Sequence, residues 1–128
     1  MGFLAFFAVA TGGALGTLLR WFLATVLNPL FPVLPLGTLA VNLVGGLIIG
    51  LALGFFTQYQ SLPPELRLFV TTGFCGGLTT FSAFSAEAVT LLLRQQYGWA
   101  LTLVSTHVVG SLSMTFIGVM LIRLLVRA

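Results

Sequence analysis

The sequence predicts an all-α integral membrane protein: four transmembrane helices per subunit, the third of them broken, paired as an antiparallel, dual-topology homodimer. Three observations predict it. The chain of 128 residues is 59% hydrophobic and only 5% charged, with a mean hydropathy of +1.16, whereas soluble domains carry about 25% charged residues. A fold in water could not cover its surface with so few charges. A spanning helix needs about 20 mainly apolar residues, so this length holds four spans and leaves no room for a soluble domain. Residues 1–128 therefore read as one transmembrane domain. Lastly, the stretch GFCGGLTTFSAFS, residues 73–85, sets glycines and hydroxyl side chains inside the third apolar segment.

Each span has its own boundary signals. The first covers residues 3–27 and ends at NPLFPVLPLG, where prolines forbid a continuous helix. Its start lacks a charged n-region and a cleavage site, so it reads as a retained span rather than a leader. The second covers residues 37–58 and ends at TQYQSLPPELR, the most polar loop of the chain. The third covers residues 66–95, with its break near 73–80. The fourth covers residues 97–122. Trp21, Tyr59, Tyr97 and Trp99 fall toward span ends, as an interfacial aromatic belt would place them.

The charged residues are Arg20, Glu65, Arg67, Glu87, Arg94, Arg123 and Arg127. They are scattered singly, which is no nucleic-acid footprint. Cys75 is the single cysteine, so an intrachain disulfide and a thiolate metal cluster are excluded. With four spans both termini share one side. That side holds Arg67, Arg123 and Arg127, and the other holds Arg94, joined by Arg20 if it reaches the interface. So weak a positive-inside bias lets a chain insert both ways, which is the basis for expecting an antiparallel homodimer in a lipid bilayer.

Three helical faces carry polar or small groups. Gly12, Gly16 and Arg20 recur every four residues in the first span, as do Thr38, Asn42, Gly46, Gly50 and Gly54 in the second. Such rows let membrane helices pack backbone to backbone. The amide of Asn42 needs partners in the bilayer, and either an interhelical bond or a substrate site would serve. In the fourth span His107, Gly110, Ser111, Met114, Thr115 and Gly118 form one stripe. His107 has no second histidine or cysteine near it in the chain, so it reads as a hydrogen-bonding wall residue rather than a metal ligand. Arg20 either snorkels to the interface or stands at the mouth of an anion pathway. A mid-bilayer arginine costs about 2.5–3.5 kcal/mol even on insertion scales. Glu87 and Arg94 lie about 10 Å apart along one helix. Glu87 must therefore pair with another element, stay protonated or face water.

Gly73, Gly76 and Gly77 each weaken a helix by about 1 kcal/mol relative to alanine, and a helix opened in hydrocarbon must have its freed backbone groups covered by protein or water. Freed carbonyls can hold a cation, and the start of a half-helix can face an anion. Phe81 and Phe84 follow at i and i+3. They are either packing residues or rings whose positive edges meet an anion, with Thr79, Thr80, Ser82 and Ser85 as neighbouring donors.

GFCGGLTTFSAFS closely resembles the signature of the small bacterial fluoride channels, the CrcB/Fluc family. GALGTLLRW in the first span, GTLAVNLVGGLIIG in the second and HVVGSLSMT in the fourth extend the resemblance, in order, over nearly the whole chain. The resemblance implies an antiparallel dimer with two pores in the bacterial inner membrane. It implies passive, fluoride-selective export that lowers cytoplasmic fluoride and relieves its toxicity, without an enzymatic step or an organic cofactor. By similarity, Phe81 and Phe84 present ring edges to fluoride and Asn42 donates its amide. Thr38, His107, Ser111 and Thr115 line or support the polar wall. Arg20 and Glu87 belong to a vestibule. Gly76 and Thr79 give backbone carbonyls to a structural sodium ion at the dimer two-fold.

Two other classes share this size. A dual-topology, proton-coupled drug transporter needs a carboxylate in its first span, where this chain has Arg20 and no acid. A non-catalytic assembly subunit would suit the glycine faces but would leave the third span's break without a purpose.

Overall fold

The computed structural model describes residues 2–127, and their regular structure is all helical. Helix α1 runs Phe3–Leu27 and closes in a 3-10 turn, Asn28–Leu30. Helix α2 is Leu36–Gln58. Helix α3, Pro64–Leu68, passes directly into a π-helical segment, Phe69–Cys75, and then into α4, Gly76–Leu78. After Thr79 and Thr80 comes α5, Phe81–Leu93, and then α6, Tyr97–Arg127. Among the described residues, four stretches are long and apolar enough to cross a membrane: Phe3–Leu30, Leu36–Gln58, Pro64–Leu93 and Tyr97–Arg127.

The helix ends follow from local chemistry. Pro29 occupies the start of the 3-10 turn after α1, and the Asn28 side chain turns forward, its Oδ1 accepting from the Thr38 amide at 3.1 Å. Pro35, the residue before α2, offers no side-chain cap, so an amide of the first turn is satisfied by Asn28, ten positions upstream. Pro64 opens α3 with a preset φ, and Glu65 sits in the first turn, where a negative charge meets the positive end of the dipole. Helix α5 ends without glycine. Gln95 takes φ 60, while the Gln96 amide reaches back to the Leu91 carbonyl at 2.9 Å and the Gln95 amide to Leu92 at 3.0 Å. Those two bonds offset the steric cost of a left-handed glutamine. Helix α6 continues past residue 122 through Arg127. Arg123 interrupts the apolar run, yet neither glycine nor proline follows to stop the helix.

Helix α2 packs chiefly on α6, and α1 on the π segment. Both contacts are made backbone to backbone. A β-carbon at Gly50 would sit 2.9 Å from the Thr115 carbonyl carbon and closer still to its oxygen, and one at Gly16 would strike the Phe74 carbonyl of the π segment. The covered core is thin, with Val41, Leu78 and Leu103 fully enclosed. Large apolar side chains elsewhere face outward, among them Phe3, Trp21, Leu93, Leu112 and Leu125. In hydrocarbon, outward apolar side chains carry no penalty, and helix contact is driven by close packing.

The glycines expected to open the third span do not do so. Gly76 keeps right-handed helical angles, φ −61 and ψ −37. The extended residues are Thr79, with φ −81 and ψ 157, and Thr80, with φ −149 and ψ 112. The glycines serve packing instead: a β-carbon at Gly77 would strike the Gly13 carbonyl, and one at Gly73 would lie 3.0 Å from the Val9 carbonyl oxygen. The π segment, with the Gly76 amide bonded five residues back to Thr71, has no simple sequence signal. Its widened turn is an arrangement of backbone against α1.

Candidate functional site

Two extended residues inside an apolar span create a hydrogen-bonding problem, and Asn42 of α2 solves it. The Thr80 amide donates to Asn42 Oδ1 at 2.8 Å, and Asn42 Nδ2 donates to the Thr80 carbonyl at 3.1 Å. An amide nitrogen only donates and a carbonyl only accepts, so this double contact fixes which end of the Asn42 side chain is which. The second Nδ2 hydrogen faces His107 Nδ1 of α6 at 3.1 Å. One side chain of α2 thus ties together the third and fourth spans, and its full donor capacity is engaged.

The backbone around the two threonines is rearranged accordingly. In a continuous helix the Thr80 amide would close onto the Gly76 carbonyl; here Asn42 takes it, so that carbonyl is released. The Gly77 carbonyl, whose helical donor would be Phe81, receives Arg20 Nε at 3.0 Å. Arg20 therefore reaches inward to the end of α4, where a cation complements exposed carbonyls. Thr79 Oγ1 donates to the Cys75 carbonyl at 2.8 Å. Thr80 Oγ1 accepts from the Ala83 amide at 3.1 Å, a side-chain cap on the first turn of α5 of the kind threonine commonly supplies.

A cleft of about 420 Å³ opens beside this junction, with Asn42, Thr79, Phe81, Phe84, His107 and Ser111 among its lining residues. Phe81 and Phe84 meet with ring centroids 5.4 Å apart and planes at 59°. Phe84 continues onto the His107 ring at 4.8 Å. Phe84 and His107 are buried, whereas Phe81 is 79% exposed. The lining thus combines phenyl rings with an amide, an imidazole and hydroxyls, at the start of α5.

The remaining candidates lie apart from this cleft. Thr115 Oγ1 donates to the Gly46 carbonyl at 2.9 Å, binding α6 to α2. Thr38 Oγ1 donates to Glu87 Oε2 at 2.6 Å, so the partner that Glu87 required is a hydroxyl on α2. Glu87 Oε1 is buried without a protein partner. Glu87 and Arg94 line a second cavity of about 370 Å³ with Pro32, Pro35 and Gln96. Sequence reasoning did not see that Asn42 would bind the peptide of Thr80, or that Asn28 would cap α2. The first joins residues 38 positions apart, and no local pattern reports such a pairing.

Residues 7–119 match the family model described as CrcB-like protein, Camphor Resistance (CrcB). The chain is 56% identical over 127 residues, 99% of each chain, to a protein of Nitrosospira multiformis named "Fluoride-specific ion channel FluC". It is 59% identical to a protein of the same name from Pseudomonas paraeruginosa, over 87% of each chain. It is 53% identical to another from Burkholderia cenocepacia, over 91% of each.

Proposed function

We propose that this chain, which belongs to the CrcB-like protein family, is a fluoride-selective ion channel, giving passive export across a bacterial inner membrane and so protecting the cell from fluoride. The observation that carries the reading is the cleft at Thr79 and Thr80, lined by both phenyl rings and hydrogen-bonding side chains, in a chain more than half identical throughout its length to a protein named for fluoride. The channel is not an enzyme: passage of an ion needs no nucleophile, general base or organic cofactor.

Fluoride is small and strongly hydrated, so a narrow path must replace water's hydrogen bonds with its own. The cleft supplies hydroxyl and imidazole groups from α6, the N-terminal end of α5 with its positive partial charge, and the edges of Phe81 and Phe84. Each contact must be weak enough to release the ion, as conduction requires. Thr115 supports the wall from behind through its bond to Gly46, and Thr38 holds Glu87 at the second cavity. Arg20 favours anion entry while steadying the end of α4. Glu87 and Arg94 border a separate vestibule.

The subunit pairs with a second copy of itself in antiparallel, dual-topology fashion, giving two pores. The third span is broken at Thr79 and Thr80 so that backbone groups meet ions. Gly76 is exposed and its carbonyl is released from the helical ladder by the Asn42–Thr80 bond, which suits a hard cation that takes oxygen ligands. The Gly76 and Thr79 carbonyls, with the same pair from the partner subunit, would hold a structural sodium ion there, and the ion would tie the two subunits together.

The reading is tested by fluoride efflux from liposomes holding the purified protein in sodium buffer. Efflux is expected, and its absence from a verified dimer would overturn the channel. Phe81→Ile keeps bulk but removes the ring edge, a contact of about 0.5–1.5 kcal/mol, so flux should fall roughly two- to tenfold. A C-terminal reporter should be active on both sides of the membrane; activity on one side alone would overturn dual topology.

A further inference from the structure

The end of α2 far from Thr38 meets a cation that this chain does not neutralise. Five arginines stand against two carboxylates. Glu87 is bonded to Thr38 at the start of α2. Arg67 stands beside Phe56, near the other end of that helix, its guanidinium carbon 5.7 Å from the ring centroid. Glu65 precedes Arg67 by two positions in α3, and side chains two apart on a helix do not face each other. Arg67 is exposed, while the Phe56 ring beneath it is buried. A fixed ring thus steadies the planar guanidinium by cation–π contact and leaves its N–H edge free to bind.

Arg67 lines an amphipathic groove of about 530 Å³. Ile49, Leu53 and Phe56 form its apolar side, a stripe at helical spacing that runs about 10 Å along α2. Thr57, Gln60 and Thr71 join Arg67 at the polar end. The Thr57 hydroxyl donates to the Leu53 carbonyl at 2.6 Å, and the Thr71 hydroxyl to the Arg67 carbonyl at 2.7 Å. With those protons spent on their own helices, the charge of Arg67 decides which ligand is preferred. The polar end lies at the membrane surface, because the second span stops at Gln58 and the third starts at Pro64. A β-carbon at Gly54 would lie 2.9 Å from Ile122 Cβ, which sets Arg123 of α6 near the depth of Phe56.

From this arrangement we infer that the groove binds an anionic phospholipid, its phosphate on the Arg67 guanidinium and an acyl chain along Leu53 and Ile49. The planar fork of arginine matches phosphate bidentately, and basic pockets between spanning helices take anionic headgroups. The two ends of the groove select the occupant together. A free anion gains nothing from the apolar stripe, and a zwitterionic lipid brings its own cation to a site that is already cationic. Headgroup and chain also enter at the depths a bilayer lipid occupies. The inference goes beyond the fluoride-channel reading and stands or falls apart from it.

Native mass spectrometry of the purified full-length protein tests it, with dioleoylphosphatidylglycerol or dioleoylphosphatidylcholine added to the micelles. Phosphatidylglycerol adducts are expected to persist at a collision energy that strips phosphatidylcholine. Arg67→Gln should weaken phosphatidylglycerol retention about tenfold, as expected for one hydrogen bond to a charged group. Arg123→Gln, at a similar depth but outside the groove lining, should retain the lipid. Leu53→Trp should displace it with the charge intact, by filling the groove. Arg67 and Leu53 are both exposed, so neither change touches the core, and each variant should melt as wild type in lipid-free detergent. The two variants probe opposite ends of the site, so if one fails to fold the other decides. Inorganic phosphate should not compete. Equal retention of both lipids, or equal loss in Arg123→Gln, would reduce the effect to general surface charge and overturn the site. Full retention in Arg67→Gln and Leu53→Trp would do the same, as expected if a second copy of the chain covers the groove. Competition by inorganic phosphate would make the ligand a free anion and overturn the lipid.

Discussion

Asn42→Ala is expected to lower fluoride flux by more than about a hundredfold and to destabilise the folded subunit. The substitution strips the amide and carbonyl of Thr80 and the Nδ1 of His107 of their shared partner. Leaving a buried polar group unpaired costs about 1–3 kcal/mol. Water entering the adjoining cleft relieves part of that, so the low end applies. Even at about 1 kcal/mol each, three such losses exceed two powers of ten in an equilibrium constant. The Thr80 amide would be free to close onto the Gly76 carbonyl and extend α4, the helical alternative that Asn42 suppresses. Asn42→Asp makes a useful partner experiment. It keeps the acceptor for the Thr80 amide but loses both donors, so it should conduct no better than about a tenth of wild type. Liposome flux and a thermal melt in detergent check both variants. Wild-type flux with an unchanged melt in Asn42→Ala would show that the Asn42 contacts carry neither the path nor the fold.

Gly50→Val should part α2 from α6. The β-carbon alone would press on the Thr115 backbone, and backbone cannot rotate aside as a side chain does. Overpacking a filled interface costs about 1–3 kcal/mol. Here the displaced helix also carries Ser111 and His107 out of register with Asn42, so loss of the folded species is the expected result. Size-exclusion chromatography and a melt of the purified protein provide the measurement. Gly98→Ala serves as the control, because a β-carbon at Gly98 meets nothing within 4 Å. A melt for Gly50→Val within error of that control would refute the close contact.

The architecture was legible because bilayer physics works on runs of residues. Four apolar stretches, the proline clusters after Leu27 and before Leu66, and the aromatic residues near the span ends are all local signals. Helix hydrogen bonds are likewise local, so hydropathy and breakers suffice to place helices. Thr80 as a cap for α5 was also within reach, since a threonine three residues before its accepted amide is a local pattern. Where local reasoning slipped, it took glycine for a helix breaker. Gly73 and Gly77 remain helical because α1 lies against them, and the absence of a side chain is what admits α1.

The sequence by itself determined an all-helical membrane chain, the order of its spans and the set of polar residues available to a site. Tertiary structure decided which of those residues meet. The side chain of Asn42 could have bonded any neighbouring helix. The close approach of α2 to α6, allowed where glycine leaves backbone bare, brings it within reach of His107, and the packing of α2 on the third span brings it to Thr80. Thr38 and Glu87, which composition alone could not pair, meet through a 2.6 Å bond between α2 and α5. Local sequence sets the conformation of a segment through bonds a few residues long. The partners of a buried polar side chain are set by which helix faces touch, and that depends on packing summed over the whole bundle.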